Sequence, residues 1–314
     1  MTDALAQQVA AAILGEPRYT RAQVVAASGV PEERGVRLWR AMGFAEVADG
    51  VVVFTDRDVE ALRTAAALLD AHVVDEDGLV ALTRSMAQAL SRLAVSHAAI
   101  ADEHLARTGV APEDEPREVE DLVPRVAALM DFVWRRHLVV AAEDAMVTLL
   151  GEARGDAPVA VGFADLVGFT ETSRHASAAD LAALVERFEA YATERVGDGG
   201  GRVVKTLGDE VLFTAADPGA AAGIALALAE HADEVRVGVA YGPVLARLGD
   251  VFGPTVNIAS RLTGLALPAT VLVDRDAATA LRDDPRYDVT PIRRQAVRGY
   301  AHLAPYRLRR ARAS

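Results

Sequence analysis

The chain has 314 residues, enough for about two domains at roughly 150 residues each. Hydrophobic residues make up 51% and charged residues 25%, an ordinary globular balance that excludes wholesale disorder. A formal charge of −12 leaves any nucleic-acid contact to a local basic patch, and the absence of cysteine removes disulfide scaffolds, thiolate nucleophiles and cysteine-ligated metal sites.

No run of about 18 uncharged apolar residues occurs, and Met1–Ala10 lacks the basic residues of a signal peptide. The expectation is a soluble cytoplasmic protein. Residues 1–151 carry helical periodicity almost throughout. Thr20 is placed to cap a helix over Arg21–Ser28, Gly29 permits the turn, and Pro31 suits the first position of the next helix, which carries Val36, Trp39 and Met42 and stops at Gly43. Val51–Phe54 after Asp49-Gly50 reads as one arm of a short β-ribbon, and Thr55 or Asp56 caps another helix. Helix, turn, helix, ribbon and helix resemble a winged helix-turn-helix. A helical bundle over about 75–151 follows, with Pro112, Pro116 and Pro124 as breaks and a last helix around His137–Leu150.

Residues 152–157, small and polar before Pro158, read as a linker to a second domain over 158–314. There Val159–Asp165 is a buried-strand run ending in a carboxylate. A helix over 177–197, a hairpin of Gly201–Thr206 with Glu210–Thr214, a helix over 218–231 and strands over 234–241 and near 244–248 come next. A helix over Thr255–Leu265 and strands near 270–273 and 303–309 complete the pattern. Hairpins mixed with right-handed crossovers predict an α+β fold, with an all-helical first domain and a ferredoxin-like second one.

Three segments carry chemistry. Phe163-Ala-Asp165-Leu-Val-Gly168-Phe169-Thr170 puts a carboxylate at a strand end before a glycine turn and a helix start, where backbone N–H groups can hold phosphate oxygens. Lys205-Thr-Leu-Gly208-Asp209-Glu210 puts a second carboxylate at a hairpin tip, and two such aspartates suit a pair of Mg²⁺ or Mn²⁺ ions. Taken singly, Asp165 is equally a helix cap and Asp209 an ordinary turn residue. In Asp250-Val-Phe-Gly253-Pro-Thr-Val-Asn257-Ile-Ala-Ser-Arg261, Asn257 and Arg261 share one helix face.

Together these segments resemble the catalytic domain of class III nucleotidyl cyclases, over about residues 158–309. Arg236-Val-Gly238-Val-Ala-Tyr-Gly242-Pro-Val244 and the closing Val297-Arg-Gly299-Tyr…Tyr306-Arg307-Leu308 support the likeness. The resemblance implies that Asp165 and Asp209 bind two metal ions, Asn257 orients the ribose, and Arg261 stabilises charge on the α-phosphate. It further implies that Lys205 and Asp250 select the base and that backbone near Phe169 and Thr170 holds the terminal phosphates, with Arg298 a weaker aspirant to that task. Lysine donates and aspartate accepts, which complements the adenine edge and mismatches guanine, so ATP is the expected substrate. Family sites form between two catalytic domains, and this chain holds all six residues, so a homodimer with two sites is implied. The short stretch between Gly242 and Phe252 is similar to the compact-arm bacterial subgroup.

The first half, notably around Leu38-Trp39-Arg40-Ala-Met-Gly43-Phe44, resembles the helical regulatory domain of actinobacterial cyclases, which dimerises and restrains the catalytic part. DNA binding through the second helix competes, resting on Arg34, Arg37 and Arg40 against Glu32 and Glu33; no nucleic-acid partner is expected. His72, His97, His104 and His137 precede the linker and could sense protons, though scattered histidines are more often solvated or core groups. An apolar groove accepting a lipid is a further expectation. The competing functions are a guanylate cyclase and a catalytically silent nucleotide sensor or helix-turn-helix regulator.

Overall fold

A computed structural model describes residues 2–111, 113–149, 158–231, 234–247, 249–297 and 300–311. The chain divides into two compact units, Met1–Ala145 and Met146–Ser314. The linker expected over 152–157 lies outside the described residues, as do Pro112 and Arg298. Among the described residues no helix is long and apolar enough to cross a membrane.

The first unit comprises α1 (Thr2–Leu14), α2 (Arg21–Ser28), α3 (Glu32–Ala41), α4 (Asp56–Asp70), α5 (Glu76–Thr108) and α6 (Glu115–Leu149), the last extending past the unit's boundary. Thr20 and Gln23 form a reciprocal capping box at the start of α2, and Gly29 closes that helix in the left-handed region. Thr55 and Asp58 do the same for α4. Val24, Phe54 and Val59 form a small core with Trp39 and Leu62 packed on it. A cavity of about 570 Å³, lined mainly by apolar side chains including Leu38, Phe54 and Leu79, opens between α2, α3, α4 and α5.

Three expectations for this unit are corrected. The ribbon does not form: Val51, Val52 and Val53 are exposed, and the only pairing is an isolated bridge between Tyr19 and Phe54. Thr20 begins the turn into α2 immediately after Tyr19, which leaves the opposing segment too short for a strand. Pro31 is the N-cap of α3, one position before the expected place. Pro116 and Pro124 do not divide the bundle. Pro116 sits in the first turn of α6, where its missing N–H is no loss, and the helix continues through Pro124. The segment His137–Leu149 is therefore the far end of α6 and not a separate helix.

The basic side chains of α3 are occupied. Arg34 pairs with Glu76 at 2.5 Å, Arg37 with Asp77 at 3.0 Å, and Arg40 with Glu46. The surface on which a DNA-binding reading rests is tied to the acidic first turn of α5. By contrast, residues 131–142 of α6 are exposed on every side although they include Phe132, Trp134, Leu138 and Val139.

The second unit contains β1 (Val159–Leu166), α7 (Phe169–His175), α8 (Ala178–Asp198), β2 (Gly201–Leu207), β3 (Glu210–Ala215), α9 (Pro218–His231), β4 (Val235–Gly242), β5 (Leu245–Arg247), β6 (Asp250–Phe252), α10 (Pro254–Leu265), β7 (Val271–Val273), α11 (Arg275–Ala280), β8 (Tyr287–Pro291), β9 (Gln295–Val297), β10 (Tyr300–Leu303) and β11 (Tyr306–Arg310). Seven strands form one sheet in the order β2-β3-β1-β4-β7-β11-β8. Its first four strands with α8 and α9 have the ferredoxin-like arrangement, extended on one side by the other three. Hairpins β5–β6 and β9–β10 stand apart.

Alternation along the strands makes two apolar faces. Ala160, Ala164, Val211, Phe213, Val237 and Val239 join the core with residues of α8 and α9. Val161, Phe163, Leu212 and Ala240 face the other way, onto Ala259 of α10. Gly238 makes that second contact close: a Cβ there would collide with the Thr263 backbone nitrogen and the Ala259 carbonyl.

Candidate active site

The site begins with register. Asp165, at the end of β1, lies on the α10 side of the sheet, directly opposite Glu210 of β3 and Arg236 of β4. The Arg236 guanidinium donates to Asp165 Oδ2 from Nε at 2.6 Å and approaches it through Nη2 at 2.5 Å. The β2–β3 turn brings Asp209 alongside, held by a hydrogen bond from the Leu166 N–H to the Asp209 carbonyl at 3.1 Å. Gly208 takes φ +68° in that turn, a conformation that glycine adopts without strain.

Burial is the largest influence on Asp165 and pushes its carboxyl above the ordinary range, opposed by Arg236 and reinforced by the charge of Asp209. Glu210 is likewise raised, by burial first and then by Asp165 and Asp209, with Arg236 and Lys205 opposing. Arg236 and Glu210 were not singled out as functional in the sequence. Their signal was positional: each sits directly opposite Asp165 on a neighbouring strand.

The second cluster lies on β2 and β6. Lys205 Nζ donates to Asp250 Oδ2 at 2.6 Å, with both side chains about one-third exposed. Burial tends to raise Asp250, but the hydrogen bonds from Lys205 and the Val251 N–H, with the lysine charge, hold it below the ordinary carboxylate range. Asn257 and Arg261 are both exposed on α10, one turn apart, and neither side chain makes a hydrogen bond or ion pair among the described residues. Phe169 begins α7 directly after Gly168 (φ +81°), and its half-buried ring packs on the main core; Thr170 follows within that helix.

Asp165 and Asp209 suit a hard divalent cation. They are oxygen donors, close enough for mutual repulsion, and a cation would relieve the repulsion that raises Asp165. Among the described residues no group of three or more histidine, aspartate or glutamate side chains forms a closed metal cage. Asp165 and Asp209 are the two carboxylates placed to hold such an ion, Asp165 mostly buried beneath Arg236.

Residues 152–310 match the adenylate and guanylate cyclase catalytic domain. The chain belongs to the class III nucleotidyl cyclases. The family match spans half of the sequence, and whole-chain relatives extend it. The cyclase is 43% identical to an adenylate cyclase of Streptomyces coelicolor, over 90% of this chain and 78% of the relative. It is 37% identical to an adenylate cyclase of Glutamicibacter nicotianae, over 94% of this chain and 79% of the relative. A pH-sensitive adenylate cyclase of Mycobacterium tuberculosis is 34% identical, over 90% of this chain and 76% of the relative. These alignments include the helical unit, so the likeness to cyclases is not confined to the catalytic half.

Proposed function

We propose that the protein converts ATP to 3′,5′-cyclic AMP and pyrophosphate in a homodimer with two equivalent sites. The observation that carries the choice of ATP is the Lys205–Asp250 pair. It offers one donor and one acceptor side by side, matching N1 and the exocyclic amine of adenine; guanine reverses that edge. The same reversal argues against a guanylate cyclase, and the presence of Asp165, Asp209, Asn257 and Arg261 together argues against a silent nucleotide sensor.

In the proposed reaction the ribose 3′-oxygen attacks the α-phosphorus and pyrophosphate leaves. Asp165 and Asp209 would hold two Mg²⁺ or Mn²⁺ ions, which when bound favour the ionised 3′-hydroxyl and neutralise the triphosphate. Asn257 orients the ribose, and Arg261 donates from two nitrogens to the oxygens on which charge develops. Backbone N–H groups at Phe169 and Thr170 receive the terminal phosphates. Arg236 supplies positive charge on the same side of the sheet as Asp165.

Two features support sharing of the site between copies. The Asn257 and Arg261 side chains stand exposed and without a partner among the described residues, available to a nucleotide held by another chain. Residues 131–142 of α6 expose apolar side chains around the helix, as a surface awaiting a partner does.

The helical unit is the regulatory part in this reading. His104 lines a cavity of about 270 Å³ between α5 and α6 with Glu118, Asp121 and Arg125. The apolar cavity of about 570 Å³ is the alternative entry point, for a lipid. The test is purified full-length protein with Mn²⁺ and either ATP or GTP, with detection of the cyclic product across pH 5 to 8. Cyclic AMP from ATP with little product from GTP is expected. No cyclic nucleotide from either would overturn the reading.

A further inference from the structure

We propose that Phe252 is the residue on which the purine of the nucleotide stacks. The inference rests on the adenylate cyclase reading of the Lys205–Asp250 pair and extends it from the edge of the base to its face. Strand β6 is three residues long. Val251 points into the core and is buried, so Asp250 and Phe252 project together on the opposite side. Asp250 holds Lys205 there, while Phe252 is 49% exposed as a residue and makes no aromatic contact among the described residues.

About half of Phe252 lies in water, and a flat apolar occupant at this position would bury that half. On one side of Phe252 is the hydrogen-bonding pair that reads a base edge. On the other, Gly253 (φ +134°) starts α10, whose Asn257 amide N–H bonds back to the Gly253 carbonyl at 3.2 Å. A purine engaged by Lys205 and Asp250, with its ribose toward Asn257, must pass this ring. Leu245, the cross-strand neighbour of Phe252 and 62% exposed, widens the apolar surface without adding a polar group. A π-face beside an edge-reading pair divides the work: Lys205 and Asp250 say which base, and the ring supplies affinity that any purine shares.

The test is binding to the full-length protein of α,β-methylene ATP and, separately, of inorganic tripolyphosphate, both with Mg²⁺, by calorimetry. Wild type, Phe252→Ala, Phe252→Leu and Phe252→Tyr are compared, with sedimentation velocity reporting oligomeric state. Stacking predicts that Phe252→Ala weakens the ATP analogue about tenfold and leaves tripolyphosphate unchanged. Phe252→Leu, which keeps apolar bulk and guards against a folding defect, weakens the analogue by a similar factor, and Phe252→Tyr restores it. Equal analogue affinity in all four proteins overturns the proposal. So does parallel loss of analogue and tripolyphosphate, or a loss that tracks dissociation of the oligomer, since the ring would then serve the contact between copies. A wild-type protein that binds nucleotide but forms no cyclic product would overturn the enzymatic reading instead.

Discussion

Arg236 on β4 grips Asp165 on β1 from the strand directly beside it, so one of the acidic groups gathered at the sheet end is a paired charge. Removing the arginine leaves a carboxylate with only 14% of its side chain exposed and no counter-ion. For a pair this close to solvent the expected loss is about 1–3 kcal/mol, smaller than for a fully buried one. Arg236→Met should therefore melt several degrees below wild type. Added Mn²⁺ should raise its melting temperature more than that of wild type, because the ion replaces the lost guanidinium. Thermal melts with and without Mn²⁺ check this; equal increments in both proteins would argue against a cation at Asp165.

Complementation tests the shared site. Asp209→Ala and Arg261→Ala should each lower kcat by about 10²-fold or more, through a lost cation contact and a lost transition-state donor. Mixed in one preparation, the two inactive proteins should recover a substantial fraction of activity, since a hybrid dimer holds one site with both groups intact. Mixtures no more active than either variant alone would place all six residues in one chain's site.

Exchange of donor and acceptor tests base selection. Lys205→Glu combined with Asp250→Lys presents the reversed pattern to the base edge. The ratio of kcat/KM for ATP over GTP should fall by at least about tenfold relative to wild type. The measurement is initial rates with each nucleotide under identical Mn²⁺.

Much of the catalytic unit was legible before any coordinates. Strand β1 was readable because buried strands form continuous apolar runs, and α10 because Pro254 marks a start and Val256, Ile258 and Leu262 mark a packed face. The six residues proposed for the site could be picked out because each belongs to a short motif. The placement of Arg236 and Glu210 could not, since it lies in cross-strand register with Asp165, far away in sequence. The short elements β6, β8 and α11 were missed because three to six residues are too few to display a period. In the helical unit the apparent ribbon failed for want of a partner strand, which local sequence does not announce.

The approach of α10 to the sheet rests on a missing side chain. Gly238→Val would drive its branched carbons into Thr263 and Ala259 backbone atoms that cannot rotate away. A penalty of about 1–3 kcal/mol and a melting point several degrees lower are expected. Activity should fall further than stability alone explains, because the displaced helix carries Asn257 and Arg261. Comparison of kcat well below the melting temperature with wild type separates the two effects.

Asp274 provides a pH signature distant from chemistry. It caps α11, accepting from the Ala277 N–H at 2.9 Å and the Tyr241 N–H at 3.3 Å, and burial pushes its carboxyl from 3.8 up to about 6. A raised carboxyl favours the protonated folded form. Its stabilising contribution is complete below about pH 4 and is lost as pH rises through about 6, amounting to on the order of 2–3 kcal/mol. Asp274→Asn keeps an acceptor for both N–H groups without the charge. The variant should gain melting temperature over wild type at pH 8 and much less at pH 4.5. A gap independent of pH would show that Asp274 does not titrate in this range.

Lys205 and Asp250 already satisfy one another. In the proposed reading an arriving adenine would trade that bond, and its own bonds to water, for bonds to the pair, so its edge would add little to the strength of the grip. A mispaired ring breaks the clasp and returns nothing. Fidelity in such a cleft comes from what a stranger forfeits, and the holding power must be found in the triphosphate and the flat surface of the ring.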